Sequence, residues 1–301
     1  MTGKYKPLVR IIGIIVALAS LTTIFYQLWQ AWPQLQEVRI QTFPALLALL
    51  LICLNLTVAA LLWRNILQRL GGNVNRPAAV SIWFVSQIVR YAPGNVWHLL
   101  GRVYLTNQRG IHAQSSSLSM VFELLHVITT GLLVATVSLF FWPQNVLGLS
   151  TLLLIPLAIC YLWPRLLHYP LAWVLRRRGQ HLPDLTIRRR DLLAFLPGYG
   201  CIWLIYGGSI YLLAASIYPL PLSSLPSITG IYAFAWVIGF LSFITPSGLG
   251  VREGVLGYLF SFLMPVPVAL LLTILARVWM TVGELLCTIF VLWRKRLTHA
   301  G

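Results

Sequence analysis

Acidic side chains are nearly missing from this sequence. Asp and Glu together number 6 in 301 residues, against 22 Lys and Arg. Two of the six, Asp184 and Asp191, fall in a basic stretch. The remainder leaves little for metal-assisted glycosyl or phosphoryl transfer, in which acidic side chains hold the cation. Charge of either sign is scarce: 9% of residues, far below the roughly 25% of a soluble domain. No stretch is polar enough to fold as a second, soluble unit. The four cysteines, Cys53, Cys160, Cys201 and Cys287, stand singly in apolar runs. They have neither metal spacing nor a secreted framework, and they read as small buried side chains without a redox role. A G-x-x-x-x-G-K-[ST] loop is absent, which excludes an ATP-driven pump within the chain, and H-E-x-x-H and G-x-S-x-G are absent too. The expectation is a protein that is not an enzyme, with no cofactor and no metal.

What is there is apolar. Hydrophobic residues make up 58% of the chain, and mean hydropathy is +0.82. Runs long enough to cross a bilayer, about 20 residues each, recur along it. The sequence therefore predicts an all-α polytopic membrane protein, one membrane domain over 1–301. The net charge of +16 fits basic cytoplasmic loops and not nucleic-acid binding, because the basic clusters lie between apolar spans.

Spanning helices are predicted at 11–29, 43–63, 114–141, 146–163, 192–217 and 268–293. "ALAS" at 17–20 resembles a cleavage site, but the apolar run continues through Trp29, longer than a signal core, and an uncleaved first helix is expected. Two further apolar segments, 78–105 and 226–264, are each broken near the middle. The first breaks at "YAPGNVW", with Pro93 and Gly94, and the second at "ITPSGLG", with Pro246, Gly248 and Gly250. Proline removes a backbone donor and glycine admits dihedrals that end a helix.

Charge decides whether these segments cross. If both are re-entrant hairpins and the N-terminus is cytoplasmic, 17 of the 22 Lys and Arg lie on the cytoplasmic side. Arg90, Arg102, Arg252 and Arg277 then lie at membrane depth, and Arg39 lies outside. A single crossing by 78–105 would turn "RRRGQHLPDLTIRRR" outward, and one by 226–264 would turn out the "RKR" tail, both against the positive-inside tendency. Six spans plus two re-entrant helical hairpins follow, with both termini cytoplasmic in a bacterial-type inner (cytoplasmic) membrane. Residues 43–141 and 192–293 then form an inverted-topology repeat, separated by the cytoplasmic basic loop 164–191. Such repeats often build transporters whose broken helices meet near the midplane.

The polar groups at membrane depth are the candidate substrate-binding residues: Arg90, Asn95, Arg102, Glu123, His126, Arg252, Glu253, Arg277 and Glu284. The arm restarting near Gly250 offers unpaired N–H groups and a positive dipole end, and Arg252 adds a guanidinium, a cradle for a phosphate. Successive helical residues point about 100° apart, so Arg252 and Glu253 should have separate partners. Arg90 and Arg102 flank the first break and Asn95 sits at its tip. Glu123 and His126 share a face at i, i+3, a candidate proton relay. Arg277 and Glu284 share a face two turns apart, and either pair with each other or face a ligand.

"PSGLGVREG" resembles the Pro-Gly-Gly-x-Gly-x-x-Glu signature of the lysylphosphatidylglycerol synthase transmembrane family, also called the flippase-like domain family. "RYAPGNVWHLLGRVYL" followed by "VFELLHV" resembles the first-half motif of the same family, and "WRNILQRLGG" fits the end of its second helix. Ser247 replaces the second glycine of the signature, and the first hairpin lacks the Gly-Glu pair of other branches. The resemblance implies a lipid translocator, with an anionic phospholipid or a polyprenyl-phosphate-linked glycan as the lipid partner. A head group would move through a cavity between the hairpins. The alternative it leaves open is a non-transporting membrane partner of a glycosyltransferase or lipid-modifying enzyme. No segment is polar enough for the soluble aminoacyl transferase part, so a stand-alone membrane domain is expected.

Overall fold

The computed structural model describes residues 38–88, 97–141, 189–242 and 250–299, together with Thr22, Tyr26, Trp29, Gln30 and Pro33. Beyond those few positions, the expected span 11–29 lies outside the described residues. So do span 146–163, nearly all of loop 164–191, and Arg90, Pro93, Gly94, Asn95, Pro246 and Gly248 at the two breaks.

The described residues form no strand. In chain order the helices are α1 (Thr42–Arg69), α2 (Arg76–Ile88), α3 (Trp97–Asn107), α4 (Ala113–Ser138), α5 (Arg189–Ala215), α6 (Leu225–Leu241), α7 (Val251–Phe260) and α8 (Val266–His299). Short 3₁₀ turns, Leu139–Phe141 and Leu222–Ser224, extend α4 and precede α6. The "RLGG" run stops α1 in a definite way. Gly71 takes φ 83, its N–H donates to the Gln68 carbonyl at 3.1 Å, and Gly72 N–H donates to the Leu67 carbonyl at 2.9 Å. That is the paired 5→2 and 6→1 closure of a left-handed helix end.

Among the described residues, five helical stretches are long and apolar enough to cross a membrane: Thr42–Arg69, Ala113–Phe141, Leu193–Ala215, Leu222–Leu241 and Val266–Arg294. Four match expected spans. The fifth is the first arm of the segment expected to re-enter, and by length alone it reaches across. The sequence reading undervalued it because the break at Pro246 drew attention to the middle of 226–264. The arm actually begins at Leu222 with a 3₁₀ turn and continues to Leu241, only then giving way to the short α7.

Polarity is distributed as a bilayer requires. Phe43, Leu46, Leu50 and Leu54 point outward along one face of α1, and Val278, Val282, Leu285, Ile289 and Phe290 along α8. Asn55, Gln87, Arg102, His126, Glu253 and Glu284 are buried. Hydrocarbon offers no hydrogen bonds, so polar groups turn to the bundle interior and apolar ones to lipid. Three of the four cysteines depart from expectation, Cys160 lying outside the described residues. Cys201 is exposed and Cys53 and Cys287 are half-buried, in keeping with a small, weakly polar side chain.

The packing repeats. α1 lies on α2 as α5 lies on α6, α2 on α3 as α6 on α7, and α3 on α4 as α7 on α8. Across the halves, α4 lies on α5 as α8 lies on α1, α4 on α6 as α8 on α2, and α1 on α4 as α5 on α8. The pattern is preserved when residues 42–138 exchange with 189–299. The contact at its centre is between α1 and α5. Gln41 N–H donates to the Ser216 carbonyl at 2.8 Å, the Ser209 hydroxyl donates to the Ala48 carbonyl at 2.8 Å, and Gly198 faces Leu62. Early positions of one helix meet late positions of the other, so α1 and α5 run antiparallel.

Candidate functional site

The buried charges gather on α3 and α7 and on the long helices that follow them. In the first half, Arg102 on α3 is 2% exposed. Its Nη1 donates to Glu123 Oε2 on α4 at 2.5 Å. The guanidinium carbon lies 4.8 Å from the Trp63 ring centroid and 5.5 Å from that of Trp83. Trp83 Nε1 also donates to Glu123 Oε1 at 3.2 Å. The carboxylate is thus bound on both oxygens, and the cation lies against two indoles. A stripe of hydroxyls leads up α4 to this pair. Ser116 and Ser119 are fully buried; Ser116 Oγ accepts from Thr106 Oγ1 and Ser119 Oγ from Trp63 Nε1, each at 2.9 Å.

In the second half the signs are exchanged. Here the short helix α7 carries the acid, Glu253, 4% exposed, and the long helix α8 carries the base, Arg277. Arg277 Nη1 donates to Glu253 Oε1. Glu253 Oε2 accepts from the Gly250 N–H at 2.7 Å. Gly250 caps α7 with φ 86, a left-handed conformation open to glycine at no steric cost. This corrects two expectations. Arg277 takes Glu253 from the neighbouring helix as its partner, in preference to Glu284 on its own helix, because α7 packs its N-terminal turn against α8. One N–H of the anticipated phosphate cradle is already filled by the Glu253 carboxylate reaching back to the cap.

Arg252 and Glu253 do have separate partners. Arg252 turns to α6, where its Nη2 donates to the Tyr232 hydroxyl and its guanidinium carbon lies 4.8 Å from the Tyr232 ring centroid. Tyr206 of α5 lies beside Tyr232, the rings tilted and their centroids 4.5 Å apart, and donates to the Met280 sulfur on α8. Arg252 is therefore half-buried with a phenol for its partner, where Arg102 and Arg277 each have a carboxylate. Glu284 is 3% exposed and stands near Tyr206.

The shared face of Glu123 and His126 divides. Glu123 turns to α2 and α3. His126 turns to α5, its ring 5.3 Å from Tyr199 and 5.8 Å from Phe195, while its Nδ1 donates to the Phe122 carbonyl at 2.6 Å. Three residues along a helix leave about 60° between side chains, enough for two neighbouring helices to claim one each. The structure thus unites Arg102 with Glu123 and Glu253 with Arg277, and sets Arg252 apart. The sequence reading missed Trp63, Trp83, Tyr206 and Tyr232. Their only signal was aromatic residues with polar tips, Trp83 and Tyr232 on the broken segments and Trp63 and Tyr206 in neighbouring spans, and counting apolar spans hides it.

Long apolar helices, an apolar exterior and buried arginine–glutamate pairs define an integral membrane domain. Within that class, the chain belongs to the family described as the lysylphosphatidylglycerol synthase TM region, whose profile matches residues 9–286. The family is a transmembrane domain involved in lipid handling. A search of curated proteins finds no match.

Proposed function

We propose that the protein is a lipid translocator, which binds the anionic head of a phospholipid or polyprenyl-phosphate-linked lipid and passes it between leaflets while the chains stay in lipid. The observation that carries this reading is Arg252. It follows the glycine that opens α7 and holds a full positive charge within the bundle, and its hydrogen-bond partner is a neutral phenol. A bare cation in hydrocarbon costs about 2.5–3.5 kcal/mol on insertion scales. Arg102 and Arg277 offset that cost with a carboxylate. Arg252 keeps donors for an oxyanion, and its planar fork suits phosphate.

The architecture belongs to the same proposal. Segments 78–105 and 226–264 act as re-entrant hairpins, and with spans at 11–29 and 146–163 the domain has six crossings in an inverted repeat. It sits in a bacterial-type inner membrane with both termini cytoplasmic. Support comes from the mirrored packing of the two halves and from α7, whose 10 residues rise about 15 Å, half the hydrocarbon thickness.

The test uses protein reconstituted in vesicles carrying a fluorescent phosphatidylglycerol, with leaflet-selective quenching to report transfer. The wild type moves the probe. Arg252→Lys and Arg252→Gln lose transfer while unfolding at the wild-type temperature, and Gln loses more. Full transfer in both variants, or loss that only tracks unfolding, removes Arg252 from the role. A wild type inert toward phosphatidylglycerol and toward a polyprenyl phosphate probe would instead indicate a partner of a membrane enzyme.

A further inference from the structure

We infer that Cys53 and Cys287 form an oxidisable dithiol, which a lipid-soluble quinone converts to a disulfide that ties the two halves of the domain together. Cys53 lies on α1 and Cys287 on α8, and both are free thiols in the structure. Their side chains meet in a hydrogen bond between the two sulfurs, and Cys53 Sγ also lies 4.0 Å from the Gly283 carbonyl oxygen. Spacing along the sequence could not reveal this pair, because each cysteine stands alone in its own apolar run.

Two contacts of α1 with α8 hold the thiols level. Trp279 Nε1 donates to the Ala45 carbonyl at 2.8 Å, two turns before the pair on both helices. Gly283, one turn before Cys287, faces Ile52, and an added Cβ there would stand 2.7 Å from Ile52 Cγ2. The pairings advance together along both chains, so α1 and α8 run parallel, and the register that Trp279 sets brings sulfur to sulfur. A disulfide needs Cα atoms within about 7 Å of each other. The missing side chain of Gly283 supplies a close approach of α8 to α1 beside the thiols.

Access to the pair selects the oxidant. Both cysteines are half-buried. Leu50 and Leu54 on α1 and Leu286 and Phe290 on α8 flank them and are exposed on the apolar outside, whereas Asn55 and Glu284 on the inward side are buried. Cys53 also stands midway along the uncharged stretch of α1 between Thr42 and Arg64. The pair therefore meets lipid at hydrocarbon depth, where a water-soluble thiol reagent does not partition and a quinone dissolved in the bilayer does. The step balances: two S–H bonds break, one S–S bond forms, and the two protons and two electrons reduce the quinone to its quinol. The bond joins the first half to the second. As a head group passes between halves that shift against each other, the crosslink arrests the movement and reduction releases it. This arrest rests on the translocator reading; the dithiol does not.

Two measurements separate them. In the first, the protein sits in anaerobic nanodiscs containing an alkyl-tailed benzoquinone whose ring has no free position for thiol addition. Proteolysis and mass spectrometry read a peptide pair joined through Cys53 and Cys287 and cleaved by a phosphine. The crosslink should appear with quinone, be absent without it and be absent in Cys53→Ser, while Cys201, exposed on α5, remains a thiol. No crosslink in the wild type, or one that uses Cys201 or Cys160 instead, overturns the pair. The wild-type result decides even if Cys53→Ser fails to fold. Equally fast crosslinking by a membrane-impermeant disulfide in place of the quinone overturns the lipid-borne oxidant. In the second measurement, vesicles report transfer of fluorescent phosphatidylglycerol. The wild type loses transfer on quinone treatment and regains it on reduction, and Cys53→Ser responds to neither. A fully crosslinked protein that transfers as fast as the reduced one overturns the arrest. Crosslinking in a protein without transfer in either state leaves the dithiol standing and removes the translocator reading, and the arrest with it.

Discussion

Arg102 and Glu253 occupy the short helices α3 and α7, and each is bound to an opposite charge on the long helix that follows. The sign exchange matters because a pair of fixed geometry is indifferent to which helix supplies which charge, provided neither is left alone. Breaking a buried pair by removing one partner costs about 3–5 kcal/mol, whereas replacing both with apolar residues is often close to neutral. Arg102→Leu should therefore lower the unfolding temperature sharply, and Arg102→Leu with Glu123→Leu should recover most of the loss. Thermal unfolding in detergent across this double-mutant cycle checks it, and equal destabilisation in the single and double variants would show that Arg102 acts mainly through its contacts with Trp63 and Trp83. The residues of this cluster were legible as charges in an apolar sequence, since composition alone marks them as costly. Their pairing was not. Arg277 stands two turns from Glu284 on one helix, and nothing in the local spacing says that Glu253, 24 residues earlier, lies closer.

The helices meet where side chains are small. Gly230 on α6 lies so close to α4 that an added Cβ would stand 1.6 Å from Ser138 Oγ, and Gly207 on α5 meets Thr229 of α6 at 2.0 Å in the same sense. Without a hydrophobic force between helices in lipid, close backbone approach is a main source of their association. Gly230→Leu should separate α4 from α6 and lower the unfolding temperature, whereas a leucine at Gly254, which has nothing within 4 Å of a built Cβ, should be tolerated better. Equal effects at the two positions would remove the packing role. Helix existence was legible here because runs of about 20 apolar residues leave few alternatives in a bilayer. The reach of α6 was not, since the expected segment began only at residue 226, whereas Pro221 precedes a 3₁₀ turn that leads into the helix and Pro226 fits its first turn, a place where proline is at home.

At the scale of the whole molecule, the inverted packing of two halves leads to a statement about sides. α4 and α6 run antiparallel, with Gly131 against Val237 and the Phe141 carbonyl accepting from Ser227 Oγ at 2.9 Å. The start of α6 therefore lies level with the end of α4, and its later part lies level with the middle of α4. α7 then meets α8 at Glu253 and Arg277 and again at Gly257 and Leu270, so it runs antiparallel to α8, back toward the end where α8 begins. If the second hairpin re-enters, Leu222 before α6 and Val266 at the start of α8 share one side of the membrane. By the repeat, Asn73 before α2 and Gln108 after α3 share the other. All four positions are exposed. In a background with the native cysteines replaced, single cysteines at Leu222 and Val266 should react with an impermeant thiol reagent added to intact cells. Cysteines at Asn73 and Gln108 should react only after the membrane is opened, because the basic loops bordering α1, α3 and α8 favour the cytoplasm. The informative failure is Leu222 and Val266 reporting opposite sides. Leu222–Leu241 would then be a full crossing, as its length permits, the break at Gly250 would lie near the far surface, and Arg252 would lose the depth at which an arginine hydrogen-bonded to a phenol calls for a ligand.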